Sequence, residues 1–318
     1  MNLIDKILNN EYLINNPPIL LDIGASGFIH KKWVKIAKYS ICIAFDADKR
    51  ELEPTEKENK NFKKLYVFNK ILTDSNEQEA IFYLTESPFC SSLLPPDNEK
   101  LQKWAFFDLF KIKETVKIPA VNLPSVLENL QINQIDWFKT DSQGTDLRLF
   151  KSLGDNVIEK VLAAEFEPGI IDAYKGEDKL YNLLTFMDKK PFWVSNLKIC
   201  GAQRINREYL EKLSINKLYR TSLKKSPGWA NVMFLNSFEK DNEFTKRDFL
   251  LGCVFGLLEK QYGYVIELSL KAYERYNDVI FREIEHYCAE KIIKANKKME
   301  LPYKIYSFIK NWRKRKNA

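Results

Sequence analysis

The chain has 318 residues, 45% of them hydrophobic, which is enough for a large α/β domain with an appendage. Its net charge of +7 is too mild to decide for or against a nucleic-acid or anionic-surface partner, and its longest apolar stretch, residues 249–258, is too short for a bilayer span of about 20 residues. The five cysteines (Cys42, Cys90, Cys200, Cys253, Cys288) have no C-x-x-C spacing, which gives a thiolate zinc site no support and points to reduced, buried thiols in a soluble cytoplasmic protein.

Residues 1–16 read as a short leading helix, with an acid near the start and no basic-then-apolar leader. Residues 18–23, led by prolines and largely apolar, suit a buried parallel strand. Gly24 and Gly27 follow at its C-terminal end, where glycine permits a tight turn and close backbone approach to a ligand. A helix is predicted over 28–38, with Trp33, Ile36 and Ala37 on one side, then a strand over 39–45 that ends at Asp46. That acid stands about 20 residues past the turn, where a carboxylate can take the two hydroxyls of a ribose. The turn lacks the third glycine of the dinucleotide fingerprint, and Asp22 before it would repel phosphates.

Strands are predicted at 67–72 and 79–84, and 88–112 reads as loop and helix rich in aromatics: Phe89, Trp104, Phe106, Phe107 and Phe110. Strands return at 136–140 and 160–166, and 191–197 with 229–235 read as a closing antiparallel pair. From residue 241 the pattern is helical, with an apolar stripe at Phe249, Val254, Leu257 and Leu258, continuing over 264–276 and 278–298. The basic end (Lys304, Lys310, Arg313, Lys314, Arg315, Lys316), interleaved with Tyr303, Tyr306, Phe308 and Trp312, reads first as a solvated terminal helix and next as a peripheral contact with an anionic membrane. The domain expectation is therefore an N-terminal helix over 1–16, an α/β domain over 17–239 and a helical extension over 240–318.

Two stretches carry a family resemblance. Asp22-Ile23-Gly24-Ala25-Ser26-Gly27 is similar to motif I of S-adenosylmethionine-dependent methyltransferases. Residues 135–147, an apolar strand followed by Lys139, Asp141, Gly144, Asp146 and Leu147, resemble the signature of the FkbM family of methyltransferases. Phe45-Asp46-Ala47-Asp48, Cys90-Ser91-Ser92-Leu93 and Glu165-Phe166-Glu167-Pro168 fit its second-strand acid, its serine loop and its fifth strand in the same order, whereas Asn122 and Pro124 depart from its wording before the signature strand. The resemblance implies a Rossmann-like methyltransferase fold: a seven-stranded, mostly parallel sheet with an antiparallel closing strand, followed here by the helical extension. It also implies S-adenosylmethionine as cofactor and a small-molecule or carbohydrate hydroxyl as acceptor.

Ligands of open α/β sheets bind at the C-terminal ends of the strands, where Asp22, Asp46, Asp141 and Glu165 stand. On this reading Asp22, Gly24, Ala25, Ser26, Gly27 and Asp46 hold the cofactor, the turn's N–H groups and Ser26 taking its carboxylate. Asp141 and Glu165 serve one as base and the other as hydroxyl-orienting acceptor, with Glu167 ranked below Glu165. The structural alternative for Asp141 is an N-cap of the helix that follows; for His30 and His286 it is a structural role. Asp141 and Glu165 are compatible with a hard divalent cation. Asn16-Pro17-Pro18-Ile19 imitates the motif of amino-directed nucleic-acid methyltransferases but lacks its aromatic and precedes the first strand, which disfavours nucleic acid. The expected activity is O-methylation of a carbohydrate, glycan or glycolipid; the alternative is a non-catalytic partner of a glycosyltransferase in a glycan-assembly complex.

Overall fold

The computed structural model describes residues 2–25, 30–45, 61–213 and 223–316. The chain divides into two compact units, Leu13–Glu243 and a second formed by Met1–Tyr12 with Phe244–Ala318.

Among the described residues the first unit holds ten strands: β1 (Ile19–Ile23), β2 (Ile41–Phe45), β3 (Lys64–Phe68), β4 (Ile71–Thr73), β5 (Glu79–Thr85), β6 (Ile112–Asn122), β7 (Trp137–Thr140), β8 (Ala163–Phe166), β9 (Phe192–Ala202) and β10 (Ser226–Asn236). Seven of them form one sheet in the order β3-β2-β1-β7-β8-β10-β9. All neighbours are parallel from β3 to β8; β10 runs antiparallel to both β8 and β9. The central strands β1, β7 and β8 are short and almost wholly buried, as parallel strands covered on both faces must be. On one face Leu21, Ile23, Phe138, Phe150, Phe166 and Phe234 pack into the main core. Each such side chain taken out of water contributes about 1.5–3 kcal/mol before conformational entropy is charged against it. On the other face Trp33 meets Trp137 edge-on at 5.9 Å. This is a mixed α/β fold.

Three local differences from the sequence reading have physical causes. The helix expected over 28–38 is, in its described part, a run of turns closed by a 3-10 turn at Ala37–Tyr39. Trp33, Ile36 and Ala37 are buried as expected, but the N–H groups of Trp33 and Ile36 bond to the carbonyls three residues back, His30 and Trp33. The long strand β6 was not anticipated, because its first six residues are mostly exposed and it contains Pro119, a residue that argues against a strand interior. It pairs parallel with β4 and antiparallel with β5 in a separate three-stranded sheet. The leading helix is two short helices, Leu3–Leu8 and Glu11–Asn15, separated at Asn9 and Asn10.

The second unit is helical. Helix Lys246–Leu258 opens with a Thr245–Asp248 capping box and is buried at every position from Phe249 to Leu257, so its apolar character runs around the helix rather than along one stripe. Helix Tyr262–Tyr276 stops at Asn277, which takes the left-handed conformation at φ 48°. Helix Val279–Lys316 then carries the chain through the basic run. Among the described residues no helix is long and apolar enough to cross a membrane.

Candidate active site

Parallel pairing puts Asp22 of β1, Lys139 of β7 and Glu165 of β8 at matching positions across three neighbouring strands, so their side chains share one face. Lys139 Nζ donates to Asp22 Oδ1 at 2.7 Å, and Asp22 is only 3% exposed. Burial pulls the Lys139 pKa down, but the carboxylates of Asp22, Asp141 and Glu165 more than offset it, so the lysine titrates above its ordinary range. Glu165 is taken at the far end of the row: Lys32 Nζ donates to its Oε2 at 3.2 Å, and His30 Nε2 lies 3.7 Å from Oε1. Burial, with Lys139 and Lys32 adding to it against Asp22, lowers His30 to about 4. The imidazole is therefore neutral at pH 7, and its approach to Glu165 is not an ion pair.

Beyond β7 the chain turns sharply. Gly24 has φ +78°, and a Cβ there would lie 2.4 Å from the Asp141 carbonyl oxygen, so only glycine lets the end of β1 close against the end of β7. Gln143 is left-handed at φ 55° and Gly144 follows at φ 107°. The strained Gln143 is fixed from three sides. Its Nε2 donates to Asp141 Oδ1 at 2.5 Å, its Oε1 accepts from the Tyr174 hydroxyl at 3.0 Å, and its backbone carbonyl accepts from Ser92 Oγ at 2.7 Å. Beneath the turn, buried Asp146 accepts from Thr140 Oγ1, the Ser142 N–H and hydroxyl, and the Glu167 N–H. Burial raises Asp146 to about 6; the Ser142 hydrogen bonds oppose the shift and Asp141 adds to it.

Two clefts open on this turn. The first lies at the ends of β1, β2 and β7, with Ile23, Gly24, Phe45 and Phe82 among its apolar walls and Asp141, Ser142 and Gln143 on its polar side. It encloses about 720 Å³ with its open mouth included. The second, about 1110 Å³ on the same measure, is walled by Phe106, Phe110, Tyr174 and Trp229 and holds the carboxyls of Asp141, Glu167 and Glu177. Asp141, Gln143 and Phe89 border both clefts. Glu167 is raised to about 8, chiefly by burial and then by the charges of Asp141 and Asp146, with Lys139 and a Trp229 hydrogen bond partly opposing.

The expected site residues are thus distributed over three places. Asp141 lines both clefts and is not an N-cap, since the following helix Asp146–Lys151 begins after Thr145. Glu165 lines neither cleft and belongs to the charged row; Glu167, one residue past the end of β8, is the carboxyl that faces the second cleft. Asp22 is inside the row, paired to Lys139. Gly24 forms part of the first cleft, but its N–H and that of Ala25 both donate to the Phe45 carbonyl, so neither is available for a ligand carboxylate. Ser26, Gly27 and Asp46 lie outside the described residues. Among the described residues no group of three or more His, Cys, Asp or Glu side chains is disposed to hold a metal ion, which leaves the expected cation at Asp141 and Glu165 without support. The sequence did carry a signal for Glu167: it is the acid nearest the C-terminal end of its strand. Nothing local in the sequence marks Tyr174, which reaches Gln143 from 31 residues away.

A family model described as Methyltransferase FkbM domain matches residues 33–191. The match includes the turn after β7, the aromatic segment 88–112 and both Glu165 and Glu167, while β1 and its glycine turn precede it. No curated protein and no solved structure matches the chain. With half of its length matched, the chain belongs to the FkbM methyltransferase domain family.

Proposed function

We propose that the protein is an S-adenosylmethionine-dependent O-methyltransferase of Rossmann-like fold, with a carbohydrate, glycan or glycolipid hydroxyl as acceptor. The observation that carries this reading is the meeting of two clefts at one carboxylate, Asp141. The first cleft fits the methyl donor. It lies at the C-terminal ends of the strands, its walls are apolar enough for a nucleoside, and Gly24 lets the ends of β1 and β7 close together along its wall. When bound, S-adenosylmethionine supplies an electrophilic methyl group on a sulfonium, which leaves with the sulfur keeping the bonding electrons.

The protein's own contribution is placement and proton removal. The second cleft holds the acceptor against the shared wall, and that positioning supplies most of the acceleration. Asp141 takes the hydroxyl proton as the new carbon–oxygen bond forms, and Gln143 fixes the carboxylate for that task. Asp22, Lys139 and Glu165 act at one remove, holding the ends of β1, β7 and β8 in register. Glu167 takes the acceptor-facing role first expected of Glu165.

Calorimetric titration with S-adenosylmethionine tests the donor half of the proposal; a wild-type chain that binds none at millimolar concentration refutes it. Asp141→Asn tests the other half. Methyl transfer should fall by about 10²–10⁴-fold, with cofactor affinity held within about threefold.

A further inference from the structure

Resting on that reading, we infer that the acceptor carries a protonated amine as well as its reacting hydroxyl, and that the ammonium sits in the second cleft between Glu167 and the rings of Phe106, Phe110 and Trp229. Among the described residues no Lys, Arg or His lines this cleft, whereas three carboxyls do. Two of the three are accounted for. Glu177 accepts from the Ala173 N–H at 2.6 Å and pairs with Lys179 at 2.8 Å. Asp141 is held by Gln143. Glu167 makes no ion pair among the described residues; the Trp229 indole hydrogen-bonds to it, and the charges of Asp141 and Asp146 act on it more strongly than that of Lys139.

The wall beside Glu167 is a continuous aromatic surface. Phe106 meets Trp229 edge-on at 6.4 Å, Phe106 packs on Phe110 at 5.4 Å, and Phe110 packs on Tyr174 at 5.6 Å. Ring faces together with a carboxyl lacking a basic partner form the chemistry that recognises a cation. The same surroundings repel a phosphate or carboxylate, so an anionic acceptor is the class this cleft rejects. Burial and the adjoining acids hold a proton on the empty Glu167, and an entering ammonium favours its release. An amino sugar or an amine-bearing alcohol has the required pair of groups.

Benzylamine, benzyl alcohol and benzoate share one size and differ in charge, and they serve as probes. Their affinities for the full chain are measured by calorimetry at pH 7, with S-adenosylmethionine titrated separately into the same preparations. Benzylamine is expected to bind at least tenfold more tightly than benzyl alcohol, and benzoate more weakly than either. Glu167→Gln should erase the benzylamine advantage, while Glu167→Asp should retain part of it. Equal affinities, a preference for benzoate, no measurable binding of any probe, or an advantage that survives Glu167→Gln overturns the inference. The wild-type order of the three probes decides the matter without any variant. Cofactor binding without an ammonium preference refutes this inference alone, and an ammonium preference without cofactor binding refutes the methyltransferase reading alone.

Discussion

The row Asp22–Lys139–Glu165 and the rim Asp141–Glu167 are built from the same kinds of residue, a few positions apart on the same strands, and they differ in how charge is balanced. In the row each carboxylate faces a lysine, at 2.7 Å for Asp22 and 3.2 Å for Glu165. At the rim Asp141 raises Asp146, both raise Glu167, and among the described residues no basic side chain lines the cleft. Balanced charges fix strand ends in place. Gathered like charges, desolvated, push Asp146 and Glu167 towards holding a proton nearer neutral pH, and Glu167 waits for a partner from outside. The lesson is that an acid at a strand end acquires its role from its neighbours, and that two residues along one strand can separate scaffold from chemistry.

Three substitutions probe that contrast. Lys139→Met leaves Asp22 buried without its cation and should cost about 3–5 kcal/mol in a denaturant melt, most of it recovered in the Lys139→Met, Asp22→Asn double variant. A loss under about 1 kcal/mol would erase the distinction between row and rim. Glu167→Gln addresses the rim. With its pKa raised from 4.5 to about 8, Glu167 keeps a proton in the folded state that the unfolded chain gives up, so wild-type stability falls as pH rises through that window. The variant lacks this loss and should gain roughly 2 kcal/mol on the wild type between pH 4.5 and pH 8.5, read from melts at each pH. Parallel stability–pH curves would mean that Glu167 is solvated like an ordinary surface acid. Glu165→Gln should have the smallest effect, about 0.5–1 kcal/mol, because Lys32 is partly exposed and His30 is neutral. Turnover should stay within about threefold, and a hundredfold loss would restore Glu165 as a base.

Much of the sheet was legible in the sequence because its central strands are short apolar runs closed by glycine or acid, a pattern that burial on both faces dictates. The β9–β10 pair was legible because β10 carries an apolar run, although β9 has no fully buried residue and both strands run several residues beyond the expected ends. Strand β6 was not, since its exposed half carries lysine, glutamate and threonine and its stability comes from pairing with β5. At the site, Asp141 and the turn could be read from spacing. The ranking of Glu165 over Glu167 could not, because it depends on Lys32 and His30 folding over from a segment more than 130 residues earlier. The second cleft joins residues 87–110, 141–144, 167–177 and 228–229, a contact set that no local pattern encodes.

The wall formed by Asp141 and Gln143 has one more consequence. Because these side chains border both clefts, a molecule that shifts them from one side alters the free energy of binding on the other, and thermodynamic reciprocity makes the two effects equal. If the first ligand tightens the wall for the second, the second must raise the affinity for the first by the same factor. The left-handed Gln143, held by Ser92, Tyr174 and Asp141 together, is the point through which such a coupling would pass. A substitution there would change how strongly the two occupants sense each other while leaving each cleft's remaining walls in place.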